Sequence, residues 1–290
     1  MPVPASLRAL GAHDLQETAL SSLASILPLA ADDGSGGFHP PSLADFFPPA
    51  IWFEGTPFEI NRIILVRFIA VTALLLIFII GARRAKLVPG RFQSVLEMGL
   101  DFCRNSIAYE ILGEKDGKKY VPIITTIFFA VFFFNMTGII PFLNIAGTSV
   151  IGLPIIFALW VYFLYLWQGV KKFGVGGYLK HSLFPPGVPW PIYFLLTPVE
   201  ALQVFLLRPA TLVIRLLANM IAGHLLLALC FAATSFLLFD ASNGLKAFGA
   251  VTFVAGFAFF LLEAFVAALQ AYVFSILTAV YLQMSITEEH

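Results

Sequence analysis

The stretch Arg208-Pro209-Ala210-Thr211-Leu212-Val213-Ile214-Arg215-Leu216-Leu217-Ala218-Asn219-Met220-Ile221-Ala222-Gly223-His224 decides how the chain is read. It lies inside an apolar segment that runs from about residue 192 to 239. An arginine in the middle of such a segment costs about 2.5–3.5 kcal/mol in a bilayer even on the lenient insertion scale. No acidic residue lies within ten positions of Arg215 on either side. A guanidinium stays protonated at any relevant pH, so Arg215 cannot relay protons. It can serve as a fixed positive charge that attracts a partner's carboxylate or repels passing cations. The plainer alternative is a structural arginine that snorkels or pairs with a carboxylate of its own chain. Asn219 lies one helical turn on, on the same face, placed to bind water or orient Arg215. Gly223, another turn along, permits close helix approach.

A second apolar segment covers about 245–286, after the turn signal Asp240-Ala241-Ser242-Asn243-Gly244. Each segment is about twice the length that an upright span needs, so the two must bend or tilt strongly. On the second, Glu263 and Gln270 are seven residues apart and share a face. Glu263 stands alone among Ala, Phe and Leu, a setting in which a carboxyl is a candidate for proton exchange. His224 is another. An antiparallel hairpin closing near Asn243 brings His224 level with Glu263, and Arg215 level with Gln270. The two levels are roughly 10–14 Å apart along the helices. This counting gives depth and not facing. A titratable pair near one end and a permanent cation near the middle suit proton entry towards a charge barrier.

The rest of the chain agrees with a membrane protein. Hydrophobic residues make up 59% and charged residues 12%, and the mean hydropathy is +0.90. A soluble domain cannot hide so much apolar surface. The 17 basic and 17 acidic residues balance, and no basic cluster suggests nucleic acid. Cys103 and Cys230 form no disulfide framework or metal motif. No Ser/His/Asp order, metal-ligand spacing or phosphate loop is present, so no catalytic residue, metal or cofactor is assigned. Further spans are expected at about 60–81, 120–142 and 151–169. An amphipathic interfacial helix is expected over 92–112, and a Gly/Pro-rich loop over 173–191. Arg62 and Arg67 are expected to snorkel or to pair with Glu59. The fold class is therefore all-α integral membrane, with about five crossings plus the interfacial helix, the last two segments forming a long tilted hairpin. Residues 1–56 read as an irregular extracytoplasmic extension, and 57–290 as the membrane domain. Lys and Arg concentrate in loops 82–119 and 170–191, which puts those loops in the cytoplasm, the N-terminus outside and the C-terminus inside. Glu200, near the cytoplasmic start of the first long segment, is a candidate for an exit path.

These residues resemble the a subunit of the rotary F-type ATP synthase. The likeness rests on Arg208–His224, on Glu263 with Leu269-Gln270-Ala271-Tyr272-Val273-Phe274, on Val88–Gln93, on Asn135–Pro141 and on the ending Met284–His290. It implies two steeply tilted helices packed against a rotating ring of c subunits, each carrying a membrane carboxylate. Arg215 then matches the arginine that separates two aqueous half-channels. Asn219, His224, Glu263 and Gln270 match polar residues of the outer half-channel and its junction with the ring. The implied partners are the c ring, the b subunits of the peripheral stalk, the remaining subunits of the complex, protons and lipid. The implied location is a bacterial plasma membrane, with a mitochondrial inner membrane as alternative. The implied role is translocation without catalysis. Two features depart from common family patterns. Gly138 stands where an acidic residue often follows the Asn of the second span by three positions. Glu200 is one place off the usual spacing to Pro209. A stand-alone transporter would more readily show an internal repeat, and none is present. A structural scaffold leaves Arg215 and Glu263 without a reason. A sodium path would call for more oxygen ligands than this route offers.

Overall fold

A computed structural model describes residues 50–52, 60–140, 146–184, 190–240 and 246–287. These fall in one compact unit, Pro40–His290; most of the expected 1–56 extension lies outside the described residues. Five helices are long and apolar enough to cross a membrane: Arg62–Arg83, Arg91–Met136, Gly152–Lys180, Ile192–Phe239 and Lys246–Ile286. The protein is an all-α integral membrane protein. The only β structure among the described residues is a short antiparallel ladder, β1 (Ala50–Trp52) against β2 (Ile60–Asn61).

Helix α1 (Arg62–Arg83) starts where the Asn61 side chain accepts the Ile64 backbone N–H at 3.1 Å, a standard N-cap bond. It buries only Ile63, Val66 and Ala70. Phe68, Leu75, Leu76 and Ile79 remain exposed, which lipid tolerates and water would not. Arg67 finds partners in the backbone of a distant loop. Its Nε donates to Gly147 O at 2.9 Å and its Nη2 to Val150 O at 3.4 Å. The guanidinium thus ties α1 to the loop before α4; Glu59 lies outside the described residues.

Helix α2 (Arg91–Asp101) continues through a π-helical stretch, Phe102–Tyr109, into α3 (Glu110–Met136). The helical course breaks at Gly113, whose φ of 75° suits glycine. Beyond the break α3 packs back along the π-helical stretch. At Gly117 a Cβ would stand 2.8 Å from the Ala108 carbonyl oxygen, so the two backbones touch there. Helix α4 (Gly152–Leu183) shows a similar device at Gly174, φ 72°. The loop expected from residue 173 is therefore helical up to Leu183. One residue of the glycine cluster breaks the helix, and Tyr178 then packs against Gly169.

Helix α5 (Trp190–Leu202), a π turn (Gln203–Leu207), α6 (Arg208–Ser235) and a second π turn (Phe236–Asp240) form one helical run. Pro209 explains the first π turn. It has no N–H to donate and its ring crowds the preceding carbonyls. The Arg208 N–H instead reaches Gln203 O, a π-type bond. Helix α7 (Lys246–Ile286) completes the hairpin. The candidate spans of 48 and 41 residues measure roughly 72 and 62 Å, against a hydrocarbon core of about 30 Å. They cannot stand upright in a bilayer. Helix α7 is held by α3, α4 and α6 through a buried core that includes Ile124, Val131, Val161, Leu212, Leu216, Ala271, Phe274 and Leu282.

Substituting Gly117→Ala should destabilise the protein by about 1–3 kcal/mol, because the backbone must move to admit the methyl group. Gly176→Ala, with nothing within 4 Å of its Cβ, should be neutral or slightly stabilising. Thermal unfolding of the purified full chain checks both. Equal stability of the two variants would contradict the close approach at Gly117.

Candidate functional site: the polar centre of the long hairpin

The site is built on α6 and α7. Three contacts fix their register. Thr234 Oγ1 donates to Thr252 Oγ1 at 2.9 Å. A Cβ on Gly256 would stand 3.3 Å from Cys230 Cβ, and one on Gly223 would stand 3.2 Å from Glu263 Oε1. Each of the three pairs is centred on residue 243. Constant helical rise carries this register on, so Arg215 and Gln270 lie at one level, within a residue.

His224 and Glu263 meet. Nδ1 of His224 lies 2.9 Å from Oε1 of Glu263, with both side chains buried. When Nδ1 carries the proton it donates to the carboxylate. Counting residues gave equal depth for these two; the structure adds that they face each other. Gly223 makes room for the carboxylate. Gly138, at the end of α3, makes room for the imidazole: a Cβ there would stand 2.8 Å from His224 Cε1 and 3.0 Å from Ala146 Cβ. The second oxygen of Glu263, Oε2, is buried without a hydrogen-bond partner among the described residues.

More buried polar groups gather at the end of α3 and in the loop that follows. Asn135, Thr148 and Ser149 are all buried. Thr148 Oγ1 donates to Asn135 Oδ1 at 2.8 Å. Asn135 Nδ2 and Ser149 Oγ have no hydrogen-bond partner among the described residues. Buried polar atoms are normally satisfied by protein or water, so this end of the site suits hydration.

Arg215 is half-buried on α6. Among the described residues its Nη1 is buried with no hydrogen-bond partner, and no carboxylate pairs with it. Asn219 is half-buried one turn away, and no hydrogen bond joins it to Arg215. Gln270 is buried on α7. Glu200 is half-buried on α5, and no hydrogen bond or ion pair links it to the other candidates.

The structure also singles out a second cation. Arg208 is buried and sits 5.4 Å over the Tyr281 ring. Tyr165 packs on Tyr281, with centroids 5.9 Å apart, and donates its hydroxyl to Val204 O at 2.8 Å. Sequence reading took Arg208 only as part of a motif. The available signal was its spacing: seven residues before Arg215 puts both cations on nearly the same helix face.

The family described as ATP synthase A chain matches residues 64–283. The ATP synthase subunit a of Rhodococcus erythropolis is 46% identical over 97% of this chain and all of that protein. The ATP synthase subunit a of Paenarthrobacter aurescens is 38% identical over 89% of this chain and 96% of that protein. That of Streptomyces lividans is 35% identical over 88% and 90%. These matches over most of its length place the chain in the ATP synthase A chain family.

Proposed function

We propose that the chain conducts protons through two half-channels to and from carboxylates on a ring of c subunits, with Arg215 keeping the half-channels apart. The observation that carries this reading is the state of Arg215: a permanent cation with a buried N–H group and no carboxylate partner among the described residues. A charge so placed calls for a partner anion from outside the chain. The surface beside it suits a helical partner. Ile214, Leu262, Phe265 and Leu269 are exposed on the hairpin, and such an apolar strip fits either lipid or another membrane helix.

In this mechanism protons enter from outside through the hydrated region lined by Asn135, Thr148 and Ser149. The His224–Glu263 pair passes them on, since each partner can bind or release a proton across a 2.9 Å contact. Gln270 and Asn219 lie along the onward route to the ring. A ring carboxylate, once protonated, is neutral and can travel through lipid. On return it meets Arg215, which favours the ionised form, and releases its proton towards the cytoplasm. Glu200 is a candidate for that exit. Each charge crossing 100 mV supplies about 2.3 kcal/mol, so several crossings serve one ATP. The subunit does no catalysis itself. The b subunits of the peripheral stalk would hold it against the rotating ring. The setting is a bacterial plasma membrane, with residues 1–56 and the N-terminus outside and the C-terminus in the cytoplasm.

The test is ATP-driven proton pumping in inverted vesicles whose complexes carry Arg215→Ala, with assembly checked by blot. Pumping should fall to background while assembly persists. Near wild-type pumping would reduce Arg215 to a structural residue. A second prediction concerns the entry. Gly138→Ala forces the His224 ring aside and should slow pumping by about tenfold, the kinetic equivalent of roughly 1.4 kcal/mol, at normal assembly. An unchanged rate would place the path away from His224.

A further inference from the structure

A polar cavity of about 230 Å³ lies where α3, α4 and the end of α7 converge, lined by Asp116, Lys119, Tyr120, Gln168, Lys171, Lys172 and Ile286. Among the described residues its charged lining is three lysines and one carboxylate, and Asp116 pairs with neither Lys119 nor Lys171. Lys119 Nζ spends two of its three donors, on Tyr120 OH at 3.3 Å and Gln168 Oε1 at 3.4 Å. Lys172 Nζ donates to Ile286 O at 2.6 Å, which draws the end of α7 to the rim. Lys171 has no hydrogen-bond or ion-pair partner among the described residues.

Immediately before these lysines, the same helix carries an apolar groove of about 460 Å³ lined by Trp160, Phe163, Leu164, Leu166, Trp167 and Val170. Lys171 follows Trp167 by four residues and Leu164 by seven, so all three lie on one stripe of α4. Trp167 and Phe163 are 68% and 63% exposed, so the groove opens outward. A basic cavity at a helix end, continued towards the middle of the span by an aromatic and aliphatic furrow, has the chemistry of a phospholipid: anionic phosphodiester above, acyl chain below.

We infer that the lysine-lined cavity holds the headgroup of an anionic phospholipid, with an acyl chain lying along the α4 groove. The charge excess selects an anionic over a zwitterionic headgroup, and each lysine near a membrane surface contributes about fivefold to such a preference. The site is separate from the hairpin polar centre and holds whichever way the protein faces in the membrane.

The test uses the assembled complex in phosphatidylcholine vesicles doped with a trace of phosphatidylglycerol bearing a photoreactive acyl chain, or with phosphatidylcholine bearing the same chain. Labelling of residues 160–170 is read by mass spectrometry. The anionic probe should label this peptide at least tenfold more than the zwitterionic one. Lys119→Gln/Lys171→Gln/Lys172→Gln should abolish the preference, and the matching arginine variant should retain it. Equal labelling by the two probes would overturn the inference, as would a preference that survives the glutamine variant. No labelling of the peptide by either probe would show the groove covered by a protein neighbour. Loss of the preference when inorganic phosphate replaces chloride at constant ionic strength would assign the cavity to free phosphate instead. A preference seen only in Glu288→Gln/Glu289→Gln would assign it to the chain's own carboxylates.

Discussion

A permanent positive charge inside an apolar helix, with no anion among the described residues paired to it, is the constraint on which the rest depends. Lipid offers Arg215 nothing. Its Nη1 is buried and unpartnered, and the nearest acidic residue before it in sequence is Glu200. Such a group persists only where another molecule's anion or a hydrated path answers it. The fold supplies the frame for that answer: two helical runs of twice the usual span length, locked in register, with the cation near the midpoint of one.

The same register positions the titratable pair. Because α6 and α7 run antiparallel about residue 243, one glycine and one carboxylate fall opposite each other, and Gly223 lets Glu263 close on His224. Gly138 completes the seat from the turn that follows α3. In the proposed mechanism this arrangement carries protons towards Arg215 and no farther. In that mechanism the positive charge that draws in an ionised carboxylate would also repel a hydrated proton, so that one residue would both accept the ring and close the leak.

The hairpin was legible because its signals are simple. Two uninterrupted apolar runs, a polar turn between them and a constant rise per residue are enough to align His224 with Glu263. Facing was not legible, since it depends on which sides of two tilted helices touch. The seat made by Gly138 was hidden for a related reason: it joins residues from α3, the loop before α4, and α6, which lie far apart in sequence. The stretch from residue 173 was misjudged because a glycine cluster signals a loop, whereas Gly174 alone takes the non-helical conformation and Tyr178 packs back on α4. The tie from Arg67 to carbonyls of a loop about eighty residues away was not legible, because backbone acceptors leave no mark in a sequence. Arg208 went unremarked because its value lies in the aromatic rings around it, contributed by α4 and α7.

The central claim is that Arg215 is the barrier between two water-accessible paths. The most direct measurement is passive proton conductance of membrane vesicles stripped of the soluble catalytic sector, compared between wild type and Arg215→Ala at equal content of the assembled membrane sector. The account predicts a conductance clearly above wild type in the variant, because the two paths then meet through the ring carboxylates without a charge between them. A conductance equal to wild type would contradict it.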